Sequence, residues 1–232
     1  ATLSGLSVSI ITIVRVGEYL GRIAYVKKKR LGVLLTIVAS MAQLMATLFF
    51  GIIGLFLIDQ DIITPHQARW IASITIVLAL LIIIGLKLFP IWMKDIIKWE
   101  RLRKTLGQMS RITTLRLLLK IQLLSLLRYL VFTFQFMLMF YVFDFDITPI
   151  QLFSIIALMY LATTAVPVNQ IIELGASKTI ILQVLLASII AISTQHESMV
   201  VLISFIIWLV NIVVPTLIGL ILISMKKKSL IE

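Results

Sequence analysis

The chain has no cysteine and few charged residues. Asp, Glu, Lys and Arg together make up 13% of its 232 residues, and 61% are hydrophobic. The absence of cysteine excludes disulfide bonds, thiolate catalysis and Cys-ligated metal sites. An ordinary water-soluble domain has about 25% charged residues. A soluble protein of this size cannot hide so much apolar surface, so the composition indicates an integral membrane protein.

Acidic residues are fewer than basic residues: 10 Asp and Glu against 21 Lys and Arg, which gives a net charge of +11. The basic residues cluster in Lys27–Arg30, Lys94–Lys120 and Lys226–Lys228. If the apolar segments between them alternate across a membrane, all three clusters lie on one side. The loops on the opposite side then contain a single basic residue, Arg69. The positive-inside rule then places the basic loops and the C-terminus in the cytoplasm. The positive charge therefore indicates topology and not nucleic-acid binding.

Long apolar runs dominate the rest of the chain. A membrane-spanning helix needs roughly 20 apolar residues. The fourth and fifth of the six candidates are shorter than this. The six predicted spans are Leu31–Ile58, Trp70–Met93, Ile121–Phe143, Ile150–Val166, Ser177–Ile192 and Met199–Met225. We therefore predict an all-α polytopic membrane protein with at least six transmembrane helices in a single domain, 1–232. Ala1–Tyr25 is a further membrane segment that charged residues interrupt.

The first interruption is "VRVGEYLGR". On a helix, Arg15, Glu18 and Arg22 share one face, because residues three and four apart are neighbours. Gly17 and Gly21 lie opposite and allow another backbone to approach closely. Two interpretations remain open. Either the excess positive charge binds an anion such as a lipid phosphate, or both arginines extend to the cytoplasmic interface and only pair with Glu18.

The second interruption is "AVPVNQIIELGASK". Pro167 breaks or restarts a helix, and Asn169 and Glu173 follow one turn apart. We expect a broken or re-entrant helix at Pro167–Lys178, which membrane depth allows only where it is buried in protein or lines a wet cavity. The alternative is one continuous helix over 168–192. Paired interruptions in the two halves of a chain indicate a transporter's substrate site.

Three further polar residues lie inside the predicted spans. Arg128 is expected either to contact an anionic headgroup inside the helix bundle or to extend to the cytoplasmic interface. Gln43 and Asn211 are expected to form hydrogen bonds between helices. His66 and His196 have no nearby third ligand, so no metal site and no other cofactor is expected.

The two interruptions resemble motifs of a known family. "RVGEYLGRIAYVKKKRLG" resembles the "P-x-R-x-G-E-x-x-R" segment in the transmembrane domain of lysylphosphatidylglycerol synthases/flippases, a domain that also occurs alone in prokaryotic flippase-like proteins. "AVPVNQIIELGASK" resembles the later "P-x-P-G-G-x-G-x-x-E" segment. The sequence departs from the family at Val14, which replaces a Pro or small polar residue, and at Val168–Ile171, which replaces the glycines.

The resemblance implies an integral domain of the prokaryotic cytoplasmic membrane that moves or presents a lipid between leaflets. It carries over Arg15, Gly17, Glu18 and Arg22 from the first motif and Pro167 and Glu173 from the second. Family members usually have further helices before the first motif, so we expect N-terminal helices that this sequence lacks.

The leading hypothesis is translocation of a lipid or lipid-linked headgroup, without enzymatic chemistry. Arg15 and Arg22, together with Asn169 and Arg128, would contact an anionic headgroup, and Glu18 and Glu173 would tune the site by charge pairing or protonation. Two alternatives stay open: a secondary transporter or channel for a small ion, and a non-transporting subunit that docks a membrane partner. The expected partners are membrane lipids, with a second copy of the chain or another membrane protein possible.

Overall fold

The computed structural model describes residues 29–58, 63–96, 114–165, 178–187, 194–219 and 221. Within these ranges there are six α-helices and no strand, which confirms the all-α prediction. The helices are α1 (Lys29–Leu57), α2 (Pro65–Ile96), α3 (Leu115–Val142), α4 (Pro149–Ala165), α5 (Lys178–Ala187) and α6 (Thr194–Trp208). The π-helical turn Leu209–Val213 follows α6 directly, and the helix continues over 214–219.

Three of the helical segments are long and apolar enough to cross a membrane: Leu35–Leu57, Leu115–Val142 and Glu197–Gly219. They correspond to the first, third and sixth predicted spans and support the membrane class.

The other three predicted spans are also helical where the structure describes them. The second lies within α2, a single helix of 32 residues. The fourth and fifth correspond to α4, with 17 residues, and α5, with 10 residues described. A total of at least six membrane crossings therefore stays a prediction.

The chain divides into two compact units. Unit I comprises Val33–Phe134 and Thr148–Leu161, and unit II comprises Ala1–Gly32, Gln135–Ile147 and Ala162–Glu232. Helices α1, α3 and α4 each contribute residues to both units.

Helix α2 shows the burial pattern typical of a membrane helix. Among the α2 residues whose side chains the structure describes, the buried positions are the small residues Ala68, Ala72 and Thr75, whereas Ile74 and Leu81 are at least 60% exposed. Small residues let neighbouring helices approach closely, while large apolar side chains are compatible with lipid tails. In water the same surface would be a large exposed apolar patch.

Helices α1 and α4 of unit I approach each other through glycine. A Cβ atom at Gly54 would lie 2.7 Å from the Cβ of Ala157 and 3.2 Å from the main-chain oxygen of Ser154. A Cβ at Gly51 would lie 3.0 Å from the Cβ of Leu161. Because glycine has no side chain, the two helices can approach this closely at Gly51 and Gly54.

Helices α2 and α4 begin with the same four-residue pattern, T-P-x-Q. In α2 the Gln67 amide donates to Thr64 Oγ1 (3.4 Å) and the Thr64 amide donates to Gln67 Oε1 (3.1 Å). In α4 the Gln151 amide donates to Thr148 Oγ1 (3.4 Å), and that hydroxyl donates to Gln151 Oε1 (2.8 Å). The pattern at α2 is a capping box, and the pattern at α4 is a variant in which the Thr148 hydroxyl replaces its main-chain amide as the donor. In each, the residue after the threonine is a proline, which favours the first helical position.

Helix α3 ends in a Schellman motif. Asp144 has a φ of 54°, the Phe145 amide donates to the Phe140 carbonyl, and the Asp144 amide donates to the Tyr141 carbonyl, both at 3.1 Å. The rings of Phe140 and Phe145 pack edge to face with centroids 4.9 Å apart. This apolar contact across the chain reversal is the one that accompanies the motif in other helices.

The π turn has a cause in the sequence. Pro215 has no amide hydrogen to donate to the carbonyl of Asn211, and its ring crowds that carbonyl in a regular α-helix. Immediately before it, the Val214 amide donates to the carbonyl of Leu209, five residues earlier. The extra residue in the turn thus lies where the proline disrupts the α-helical hydrogen bonds.

Candidate functional site

Most of the predicted site residues lie outside the described part of the chain. They are Arg15, Gly17, Glu18, Gly21, Arg22, Pro167, Asn169 and Glu173. The predicted broken helix at Pro167–Lys178 lies outside it too, except for Lys178, the first residue of α5. A shared site formed by the two motifs therefore stays a prediction, and Arg128 is the predicted contact that the structure places.

Arg128 lies near the middle of the 28-residue helix α3, and its side chain is exposed. Leu124, Leu127 and Val131, within one turn of it, are also exposed and apolar. A charge at such a depth is costly unless it reaches the membrane interface or an opposite charge. The position of Arg128 thus fits either an anion contact or an extended side chain, the two interpretations that the sequence left open.

An aromatic ring lies beneath the Arg128 guanidinium. Its central carbon is 5.1 Å from the ring centroid of Phe132, one turn later on α3. This is a cation–π contact, which is stronger where the cation has lost part of its hydration. The cation is therefore held against an aromatic side chain of its own helix.

The same region contains an aromatic cluster contributed by α1, α3 and α4. The Phe50 ring stacks on Tyr129, with centroids 4.6 Å apart and planes at 10°. Tyr160 packs against Tyr129 at 5.3 Å, and Phe153 lies edge-on to Phe50 at 6.2 Å. Such pairs contribute about 0.5–1.5 kcal/mol each beyond the area they bury. The cluster therefore links α1, α3 and α4 around Tyr129.

Two hydroxyl groups in this cluster are buried and unpaired. Tyr129 is 6% and Thr133 2% exposed, and neither hydroxyl has a hydrogen-bond partner among the described residues. They lie one turn apart and interact with each other, but without the full geometry of a hydrogen bond. Other hydroxyls in unit I bond to the carbonyl four residues earlier: Thr47 to Gln43 (3.2 Å), Thr75 to Ile71 (2.7 Å) and Ser154 to Ile150 (2.8 Å).

The expected hydrogen bond between helices is confirmed for Asn211. Its Nδ2 donates to Gln135 Oε1 on α3 at 2.9 Å. For Gln43 the expectation is not met in the described ranges. The hydrogen bond at that residue uses its main-chain carbonyl, which accepts from Thr47 of the same helix.

Among the described residues, no group of three His, Cys, Asp or Glu side chains lies close enough to hold a metal ion. His66 instead accepts a hydrogen bond from Trp70 Nε1 at 3.2 Å.

The cluster around Tyr129 was not predicted from the sequence. A tyrosine in the middle of an apolar span is the signal that points to it, because a buried hydroxyl group needs a partner. The ring contacts themselves join residues of three helices, and no local spacing shows them.

No protein-family model, curated protein or solved structure matches this chain. The resemblance to the lysylphosphatidylglycerol synthase/flippase domain therefore depends on the two sequence motifs alone.

Proposed function

We propose that the protein is a multi-pass membrane protein of the prokaryotic cytoplasmic membrane that translocates a lipid or lipid-linked headgroup between leaflets. The observation that carries this proposal is the exposed guanidinium of Arg128, near the middle of a helix long enough to cross the membrane and among exposed apolar side chains. A charged side chain among apolar side chains matches the two parts of a lipid, which has a charged headgroup and apolar tails.

In this proposal Arg128 binds the headgroup. A guanidinium group binds a phosphate through two parallel hydrogen bonds, and the Phe132 ring 5.1 Å away helps to hold it in place. The exposed side chains of Leu124, Leu127 and Val131 contact the acyl chains. The tails then stay in hydrocarbon while only the headgroup leaves water.

The two charged motifs complete the proposed site. Arg15 and Arg22 supply further positive charge, Asn169 supplies an amide, and Glu18 and Glu173 limit the net charge by pairing or protonation. The sequence has no ATP-binding motif, so the proposed movement follows a lipid gradient or uses an ion gradient.

The test is leaflet exchange of labelled phosphatidylglycerol and phosphatidylcholine in liposomes that contain the full chain. Arg128→Gln is expected to lower the exchange rate of the anionic lipid roughly tenfold or more, because hydrogen bonds to charged groups contribute about 1.5–3 kcal/mol. The matched control is Arg116→Gln, which removes an exposed charge from the first turn of the same helix. We expect the control to exchange lipid at the wild-type rate.

Two results would contradict the proposal in different ways. If exchange matches that of empty liposomes, the protein does not translocate these lipids, and ion flux in the same liposomes then tests the small-ion alternative. If exchange is fast but Arg128→Gln leaves it unchanged, Arg128 is an interfacial anchor. In that case Glu18→Gln and Glu173→Gln test the two motifs separately.

A further inference from the structure

The π turn lies among the polar residues of the last described span, Glu197–Gly219. Ser204, Trp208 and Asn211 follow one another at four and three residues, so they lie on one face of the helix that leads into the turn. The sequence has no charged residue between Glu197 and Lys226. π-helical turns are rare and often mark functional positions, which makes this group a candidate functional element.

Two of these side chains are buried without a hydrogen-bond partner in the described part of the chain. They are Ser204, through Oγ, and Trp208, through Nε1. Ser204 is 3% exposed, and its hydroxyl does not use the carbonyl four residues earlier, as the Ser73 hydroxyl does with Arg69 at 2.8 Å. A buried donor without an acceptor destabilises the arrangement that contains it. Both atoms have almost no accessible surface, so a bound molecule does not reach them in this arrangement.

The third residue holds the arrangement in place. Asn211 lies inside the π turn and donates to Gln135 on α3 at 2.9 Å. In this arrangement the π turn presents Asn211 to α3. The arrangement thus has one stabilising interaction between helices and two unsatisfied groups, within eight residues of the chain.

Neither helical form of this segment is free of cost. In an α-helical form, the ring of Pro215 crowds the carbonyl of Asn211 and the helix kinks. In the π form, one extra residue fits into the turn and Ser204 and Trp208 stay unpaired. Conversion rotates the two sides of the turn relative to each other by about 100°, the angle per residue of an α-helix. Two packings with comparable costs are the condition for a two-state element.

We propose that the span Glu197–Gly219 is a conformational switch. Its π turn converts to an α-helical register, which rotates residues 214–219 relative to Ser204 and Trp208, and the Asn211–Gln135 hydrogen bond holds the π state. This inference does not depend on lipid translocation, because it rests on the hydrogen bonds of unit II alone.

The test is a distance measurement between two nitroxide labels by electron–electron double resonance, on the full chain in nanodiscs. Because the sequence has no cysteine, cysteines at Leu138 and Leu217, both exposed in unit II, can be labelled selectively. We expect two distances, one for each register. Asn211→Leu should shift their ratio toward the α-helical state roughly threefold to tenfold, the range of one hydrogen bond between membrane helices.

The matched control is Gln183→Leu, which removes another hydrogen bond between helices of unit II, from Gln183 Nε2 to the carbonyl of Glu197 at 3.3 Å. It should leave the ratio unchanged. If Asn211→Leu does not fold, Pro215→Ala provides the second variant, and it should shift the ratio in the same direction by removing the crowded ring. A single distance that neither Asn211→Leu nor Pro215→Ala changes would overturn the proposal.

Discussion

Helix contacts in the two units are built from different chemistry. In unit I, α1 meets α4 through Gly54 and Ala157, where a single Cβ added to the glycine would clash. In unit II, α3 meets the last span through Gln135 and Asn211, which share a hydrogen bond. The first contact has one good packing because close-packed surfaces tolerate few alternatives. The second contact depends on a hydrogen bond that a rotation of the last span would break. We therefore expect a rigid helix contact in unit I and two states in unit II.

The largest effect should come from Gly54→Ala in unit I. Its Cβ would meet the Cβ of Ala157 at 2.7 Å and the main-chain oxygen of Ser154 at 3.2 Å. Main-chain atoms cannot rotate away, so we expect a loss of about 1–3 kcal/mol in the free energy of unfolding. Unfolding by sodium dodecyl sulfate in mixed micelles, followed by circular dichroism, measures it.

Gly51→Ala is the comparison for this prediction. Three atoms of the Leu161 side chain surround its added Cβ at 3.0 to 3.1 Å. A leucine side chain can move where backbone cannot, so the loss should be smaller than for Gly54→Ala. Equal stability of Gly54→Ala and wild type would show that α1 and α4 are not held together at this glycine.

Effects of intermediate size on the free energy of unfolding are expected at two serines, one in each unit, and the two effects should have opposite signs. Ser204→Ala in unit II removes a buried hydroxyl that has no partner in the described chain, which should stabilise the protein by about 1 kcal/mol. Ser154→Ala in unit I removes a hydroxyl that donates to Ile150 at 2.8 Å, which should destabilise it by roughly 0.5–1 kcal/mol. The same unfolding titration on both variants gives the two signs. A loss of stability in Ser204→Ala would mean that its hydroxyl has a partner in the membrane.

The smallest effect is expected at the end of α3, in unit II. Asp144 has a φ of 54°, a conformation that glycine adopts without strain. Asp144→Gly should therefore raise the free energy of unfolding by about 0.5 kcal/mol, after the greater flexibility of the unfolded glycine is subtracted. Asp144→Val is the control and should lower it, since a β-branched residue fits this backbone conformation poorly. A destabilised glycine variant would assign the Asp144 carboxylate a role of its own.

The sequence predicts the long helices of this protein well, because continuous apolar runs have no other stable form in a membrane. The predicted span Ile121–Phe143 lies almost wholly within α3, Leu115–Val142. The predicted span begins later than the helix because Leu115–Lys120 mixes basic with apolar residues and so falls outside the apolar run. These residues nevertheless form the first turns of α3. The span Ile150–Val166 agrees with α4 to within one residue at each end, since a Thr-Pro start defines where that helix begins.

The sequence does not predict the features that depend on contacts between distant residues. The hydrogen bond that holds the π turn joins residues 76 positions apart, so no local pattern shows that Asn211 would meet Gln135. The stacking of Phe50 on Tyr129 likewise requires α1 and α3 to pack side by side. Of the candidate site, the sequence identifies Arg128, and the helical spacing places Phe132 on its face. It does not identify the contacts of Tyr129 with Phe50 and Tyr160, which lie on other helices.

The repeated T-P-x-Q pattern at the starts of α2 and α4 has a consequence for how the protein is made. Each cap uses hydrogen bonds between residues only three positions apart, so it can form as soon as its own segment has been synthesised. Nucleation is the costly step in helix formation, and a capping box with proline lowers that cost at a defined residue. Both helices can therefore have their first residue set during membrane insertion, as soon as each segment has left the ribosome.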